Sequence, residues 1–303
     1  MKTLDVFRTT VATAAGDLSC LDVGEGAPTL FVHGLGTNAY LWRNVIPALA
    51  PQRRCIALDL PLHGHSPADP DRDLSLRGLA DALVAFVDVV VERFGTGPLD
   101  VVGHDTGGAL AQMLAVHRPF WLSSLTLTNC EVHDNVPPLA FQPTVDLARA
   151  GALAPTAPAM LADLELARTA VFAAGYEQPE RLGTDMVRAF LEPLIGTVER
   201  ARQFERLLMS LDARDLLAVE PQLERLDIPT LIVWATNDVF FDLRWAYRLR
   251  DMIPSVTNVV EVEGAKLFFP DERAGELVVA LCEHWERVAA ASISAPASTA
   301  RAR

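Results

Sequence analysis

Short apolar runs alternate along the chain with longer stretches of helical periodicity. The runs are "TLFVHG" (29–34), "RCIALDLP" (54–61), "LDVVGHD" (99–105), "LSSLTLTN" (122–129), "TLIVWATND" (230–238) and "TNVVEVEG" (257–264). Most are continuous in Val, Ile and Leu, the pattern of strands covered on both faces. Helical patterns lie between them, at 76–94 and 107–117 for example. This rhythm predicts βαβ units, and so an α/β fold with a mostly parallel sheet and right-handed crossovers. "FRTTVATAAGDLSCLDVG" near the start predicts a hairpin added to one edge.

Residues 137–222 break the rhythm, because they hold helical patterns separated by Pro and Gly and no convincing strand. A helical block inserted between two sheet strands predicts a cap over the sheet's carboxyl edge, where open α/β sheets bind ligands. The expected organisation is therefore a core of 1–136 and 223–290, a cap of 137–222, and a disordered tail over 291–303, "ASISAPASTARAR".

Composition narrows the function classes. Half of the 303 residues are hydrophobic and 21% are charged, enough for a large core. The net charge of −13 argues against a nucleic-acid partner, which needs a basic face. No apolar run reaches the roughly 18 residues of a membrane span, and the first residues lack a secretory apolar block. Cys20, Cys55, Cys130 and Cys282 are far apart, without metal-ligand or redox spacing, and are expected to be reduced core cysteines of a cytoplasmic protein. No metal and no cofactor is expected. The expected partner is a small molecule, and self-association into a homodimer is left open.

The chemistry concentrates in "VVGHDTGGALA" (101–111). A buried strand ends, a Gly-bounded turn carries one polar residue, and a helix begins, the strand–turn–helix context of a nucleophile elbow with aspartate at its centre. Gly103 and Gly107 allow the sharp fold and the close helix approach. Asp105 could instead serve only as a helix cap. The second stretch is "FVHGLGTNAYLWRN", in which His33 and Gly34 follow a strand and precede a helix.

"HGLGTNAYLWRN", "DLPLHGHSPADP", "GHDTGGALA" and "WATNDVFFD", in that order, resemble the aspartate-nucleophile branch of the α/β-hydrolases: haloalkane dehalogenases, fluoroacetate dehalogenases and epoxide hydrolases. The resemblance covers about residues 5–290. It implies an α/β-hydrolase fold with a helical cap. It also implies that Asp105 attacks carbon to form an ester, that the amides of Leu35 and Thr106 make the oxyanion hole, and that Asp238 is the acid that orients a histidine. Asp238 also reads as a simple turn residue. Contacts to substrate are expected from His33, Asn129, Lys266 and Leu267.

The chain departs from that branch at three places. Where the branch has glycine, small residue, glycine, histidine, phenylalanine, this chain has Gly264, Ala265, Lys266, Leu267 and Phe268. Leucine therefore stands in the histidine column, and Leu267, Phe268 and Phe269 are expected to pack inward. Next, the halide-holding tryptophan and asparagine of the dehalogenases are replaced by Thr106 and Leu35, so efficient dehalogenation of haloalkanes is not expected. Finally, epoxide hydrolases open the ring with two cap tyrosines, and of Tyr40, Tyr176 and Tyr247 only Tyr176 falls in the cap.

A replacement base must come from a loop leaving the carboxyl edge. "NCEVHDN" offers His133, with Glu131 or Asp134 beside it at a point where some family members place their catalytic acid. "GAKLFF" offers Lys266. His133 also reads as a hinge residue, and Lys266 as a surface or ion-pairing lysine. Three readings of function stand at this point. The leading one is an Asp-nucleophile hydrolase of a small, largely apolar organic substrate with a non-standard base. The others are a non-hydrolytic lyase or isomerase using Asp105 as a proton acceptor, and a ligand-binding protein without catalysis.

Overall fold

The structure is a computed structural model that describes residues 2–294 apart from Ala68. Its strands are β1 (Arg8–Thr13), β2 (Gly16–Val23), β3 (Ala27–Val32), β4 (Arg53–Leu58), β5 (Leu99–Asp105), β6 (Leu122–Cys130), β7 (Thr230–Ala235) and β8 (Val256–Val262). They form one eight-stranded sheet in the order β1-β2-β4-β3-β5-β6-β7-β8. β3 to β8 run parallel to one another, and β1 and β2 form the expected antiparallel hairpin at one edge, with β2 antiparallel to β4.

The apolar runs became the covered strands. Every residue of β7 is buried, as is nearly every residue of β5 and β6, because helices lie on both faces. β8 closes the sheet and is mostly half-exposed or exposed. β3 stops at Val32, so His33 and Gly34 belong to the turn rather than to the strand. The helix Leu76–Phe94 starts at Ser75, whose Oγ accepts the Gly78 amide at 3.1 Å, and ends at Gly95 in the left-handed region. The helix Thr106–His117 is buried over nearly its whole length, between the sheet and that longer helix. Cys20, Cys55 and Cys130 are buried free thiols.

The cap is helical throughout. Helices at Gln142–Arg149, Leu153–Ala162, Thr184–Ile195 and Val198–Ser210 make up most of it, and no strand occurs between Leu139 and Leu223. Glu205 is buried and fixes one helix start, accepting the amides of Leu153 and Ala154 at 3.0 and 2.9 Å. The last helix, Ala274–Ser294, continues four residues into the stretch expected to be disordered, and residues 295–303 lie outside the described residues. Among the described residues no helix is long and apolar enough to cross a membrane.

Close backbone approach sets the site's position. A Cβ on Gly107 would lie 2.3 Å from the Val32 carbonyl oxygen and 2.4 Å from that of His33. The Asp105 helix can therefore sit against the end of β3 only with glycine there. Gly107→Ala is expected to cost roughly 1–3 kcal/mol, the usual range for overpacking, because backbone rather than a flexible side chain must move. Urea denaturation at constant m-value checks it.

Candidate active site

Asp105 ends β5 and starts the buried helix with φ 55° and ψ −134°, a conformation rarely adopted by a residue with a side chain. The Thr106 amide donates to Asp105 Oδ1 at 2.8 Å. On the other side, a Cβ on Gly34 would lie 2.3 Å from the Asp105 Cβ and 2.4 Å from its Oδ2. The "HG" turn thus comes close enough to cradle the carboxyl, and glycine is what permits it.

Two more acids stand close by. Glu131, one residue beyond β6, is 1% exposed, and its Oε1 accepts the Thr106 hydroxyl at 2.7 Å. Its Oε2 is buried with no hydrogen-bond partner. Asp238, beyond β7, accepts Asn129 Nδ2 on Oδ2 and the Phe240 amide on Oδ1, both at 2.8 Å. Burial raises Asp105 well above the usual carboxylate range, and the charges of Glu131 and then Asp238 add to the effect against the pull of the Thr106 amide. Burial likewise pushes Glu131 up to about 7, opposed by the Thr106 hydroxyl. Asp238 also rises to about 7, mainly through burial. Like-charged carboxyls in a low-dielectric site hold protons into the neutral range.

Asp105 and Glu131 lie on the wall of a cavity of about 400 Å³ between core and cap. Leu35, Leu267, Phe268 and Phe241 line it from the core, and residues such as Phe172, Met160 and Leu194 from the cap. The volume is ordinary for a small-molecule site. No lysine, arginine or histidine lines it.

Leu35, Asp105 and Leu267 line one cavity and Thr106 bonds Asp105, while the other residues expected to contact substrate lie elsewhere. His33 is fully buried, with Nδ1 2.7 Å from the Gly34 carbonyl oxygen and Nε2 accepting the Leu60 amide at 3.0 Å. Both ring nitrogens are thus engaged by backbone. Burial lowers its pKa to about 4, so the ring clips the turn in neutral form rather than meeting a substrate. Asn129 is spent on positioning: besides Asp238 it bonds the Ala235 carbonyl at 3.2 Å and amide at 2.7 Å.

His133 is not on the cavity wall. The chain turns at a left-handed φ of 59° there, and Nδ1 lies 2.8 Å from Glu220 Oε1 and 2.7 Å from Arg248 Nη2. Lys266 also misses the cavity, because its ammonium donates to the Ala173 carbonyl at 3.3 Å. The residue that sequence reasoning undervalued is Glu131. The available signal was an acid directly after a buried strand at the carboxyl edge, in "LTLTNCE".

Leu267 packs with Phe268 and Phe269, which are 5%, 6% and 0% exposed. The surrounding loop is bound to the cap. The Phe268 amide donates to the Gly175 carbonyl at 2.8 Å, and the Tyr176 hydroxyl to Asp271 Oδ2 at 3.0 Å. Glu272 accepts the amides of Glu177 and Gln178 at 2.7 and 2.8 Å. Arg273 makes a two-pronged pair with Glu177 at 2.8 and 2.7 Å.

This strand order, elbow and inserted cap define an α/β-hydrolase. Residues 28–272 match the family described as alpha/beta hydrolase fold, and the chain belongs to it. A haloalkane dehalogenase from Mesorhizobium japonicum is 38% identical over 113 residues, covering 37% of this chain and 35% of that protein. The acetyltransferase component of the acetoin cleaving system of Pseudomonas putida is 28% identical over 251 residues, covering 80% of this chain and 62% of that one. The chain therefore spans less than two thirds of either relative. A solved haloalkane dehalogenase from Bradyrhizobium elkani superposes with a TM-score of 0.78 at 21% identity, covering 94% of this chain and 99% of that structure, a likeness of fold.

Proposed function

We propose that the protein is a hydrolase of small, largely apolar organic substrates, in which Asp105 attacks an electrophilic carbon, the bond from that carbon to its leaving group breaks with the electron pair going to the leaving group, and an aspartyl ester forms. The carrying observation is Asp105 at a left-handed elbow on the wall of an enclosed, mostly apolar cavity. The amides of Leu35 and Thr106 are the oxyanion donors in this reading. The Thr106 amide already bonds Asp105 Oδ1 at 2.8 Å, so it lies where charge builds up when water later attacks the ester. Asp238, held by Asn129, is the remaining acid of the family pattern.

Ester hydrolysis needs a proton acceptor for the attacking water. Leu267 is not one, His133 and Lys266 bond elsewhere, and burial keeps Glu131 and Asp238 partly protonated near pH 7. The second half of the reaction is therefore slow, and the ester accumulates. Intact-mass spectrometry after exposure to a short bromoalkane is expected to show one alkyl adduct on the wild type, absent in Asp105→Asn and persisting for many turnovers of an ordinary enzyme. Free bromide from short bromoalkanes is expected well below about 1 s⁻¹, the bottom of the common kcat range. No adduct despite turnover of a true substrate would overturn Asp105 as nucleophile.

A further inference from the structure

The cavity presents carboxyls without a positive charge to meet them. Asp105 and Glu131 are on its wall, Asp238 lies close behind, and the other lining residues are neutral. An anionic ligand head would meet only acids, and a purely apolar ligand would leave them without a donor. One oxygen carries the argument further. Thr106 satisfies Glu131 Oε1, but Oε2 is buried with no donor, on a side chain that is 1% exposed and lines the cavity. A buried carboxylate oxygen left unbonded costs about 1–3 kcal/mol or more, and a ligand N–H would remove that cost. The remaining surface is chiefly Leu, Ile, Met and Phe, with the hydroxyls of Thr144 and Thr156 as exceptions. The Thr156 hydroxyl is already donated to the Leu153 carbonyl at 2.9 Å.

We propose that the natural ligand of this cavity is a monocationic amine on an apolar body, with its ammonium seated on Glu131 Oε2 beside Asp105. This rests on the reading above only for the location of the site. Its consequence for chemistry is direct: the ligand's positive charge favours the ionised form of Asp105, the form that attacks. A substrate of this class raises the ionised fraction of its own nucleophile, and a neutral one of the same shape reacts with the smaller fraction already present.

The experiment is isothermal titration of the wild type and Glu131→Gln with hexylammonium chloride and with 1-hexanol at pH 7.5. The two probes share a six-carbon body and differ in charge and donor number. The wild type is expected to bind the amine at least tenfold more tightly than the alcohol, and Glu131→Gln to lose most of that preference. Equal affinity in the wild type overturns the proposal. So does a preference that survives Glu131→Gln unchanged, because it then reflects only the −13 net charge of the chain. The wild-type comparison stands even if the variant does not fold. Binding needs no turnover, so an amine preference together with substrate turnover that leaves no adduct would sink the nucleophile and leave this ligand class intact, and the converse holds.

Discussion

On the proposed ester route, Leu267→His is expected to speed discharge of the adduct by about 10²–10⁴-fold, the usual contribution of a positioned general base. Leu267 lines the same cavity as Asp105, so an imidazole there would share the space that the ester occupies. Two acids nearby, Glu131 and Asp238, could orient the ring and stabilise its protonated form. The loop is held by Phe268, Glu272 and Arg273 rather than by Leu267 itself, so it should keep its path. The measurement is the lifetime of the bromoalkane adduct by intact mass, with the alcohol product carrying unlabelled oxygen and the protein gaining label from ¹⁸O water. An adduct as long-lived as in the wild type would show that the missing base is not what limits the second step.

Glu131→Gln is expected to stabilise the protein at alkaline pH and to leave it nearly unchanged in acid. Burial raises the Glu131 pKa to about 7 in the folded state, from an ordinary value near 4.5. A carboxyl shifted upward binds its proton more tightly when folded. Folding stability therefore falls as pH rises from the unfolded pKa through about 7, and the full cost is present above that. Glutamine has no proton to lose and still accepts the Thr106 hydroxyl. At about 1.4 kcal/mol per pKa unit, the gain at pH 8 is on the order of 3 kcal/mol. For a domain of this size that is a rise in Tm of very roughly 5–10 °C. Urea titrations at pH 5 and pH 8 separate the cases. A variant weaker than the wild type at pH 8 would mean that the ionised carboxylate is held by a partner.

Both results turn on a part of the molecule that the sequence shows unevenly. β5, β6 and β7 were legible because continuous apolar runs between helices can only be covered strands. Asp105 was legible because glycines at 103 and 107 demand a turn that lifts one side chain. The choice between Glu131 and His133 was not. Two residues apart on one loop, they differ in direction, and the left-handed φ of 59° at His133 that turns it outward leaves no local pattern to read. His33 was misjudged for a similar reason, since its two partners are backbone groups, one of them on a loop distant in sequence. The cap's lining was legible as apolar and no further, because side chains from several helices meet there only after the chain has folded.

The bonds between the loop at 266–273 and the cap at 173–178 bear on how fast molecules come and go. On that side the cap is clasped by backbone and charged pairs, and on the other its two chain crossings are drawn together where His133 meets Glu220 and Arg248. A roof fastened along both margins does not swing as a unit. Swinging it open means breaking the bonds of one margin, and motions that large fall in the microseconds to milliseconds. Residence time in this cavity then depends on how often a margin parts as well as on the grip of the site itself.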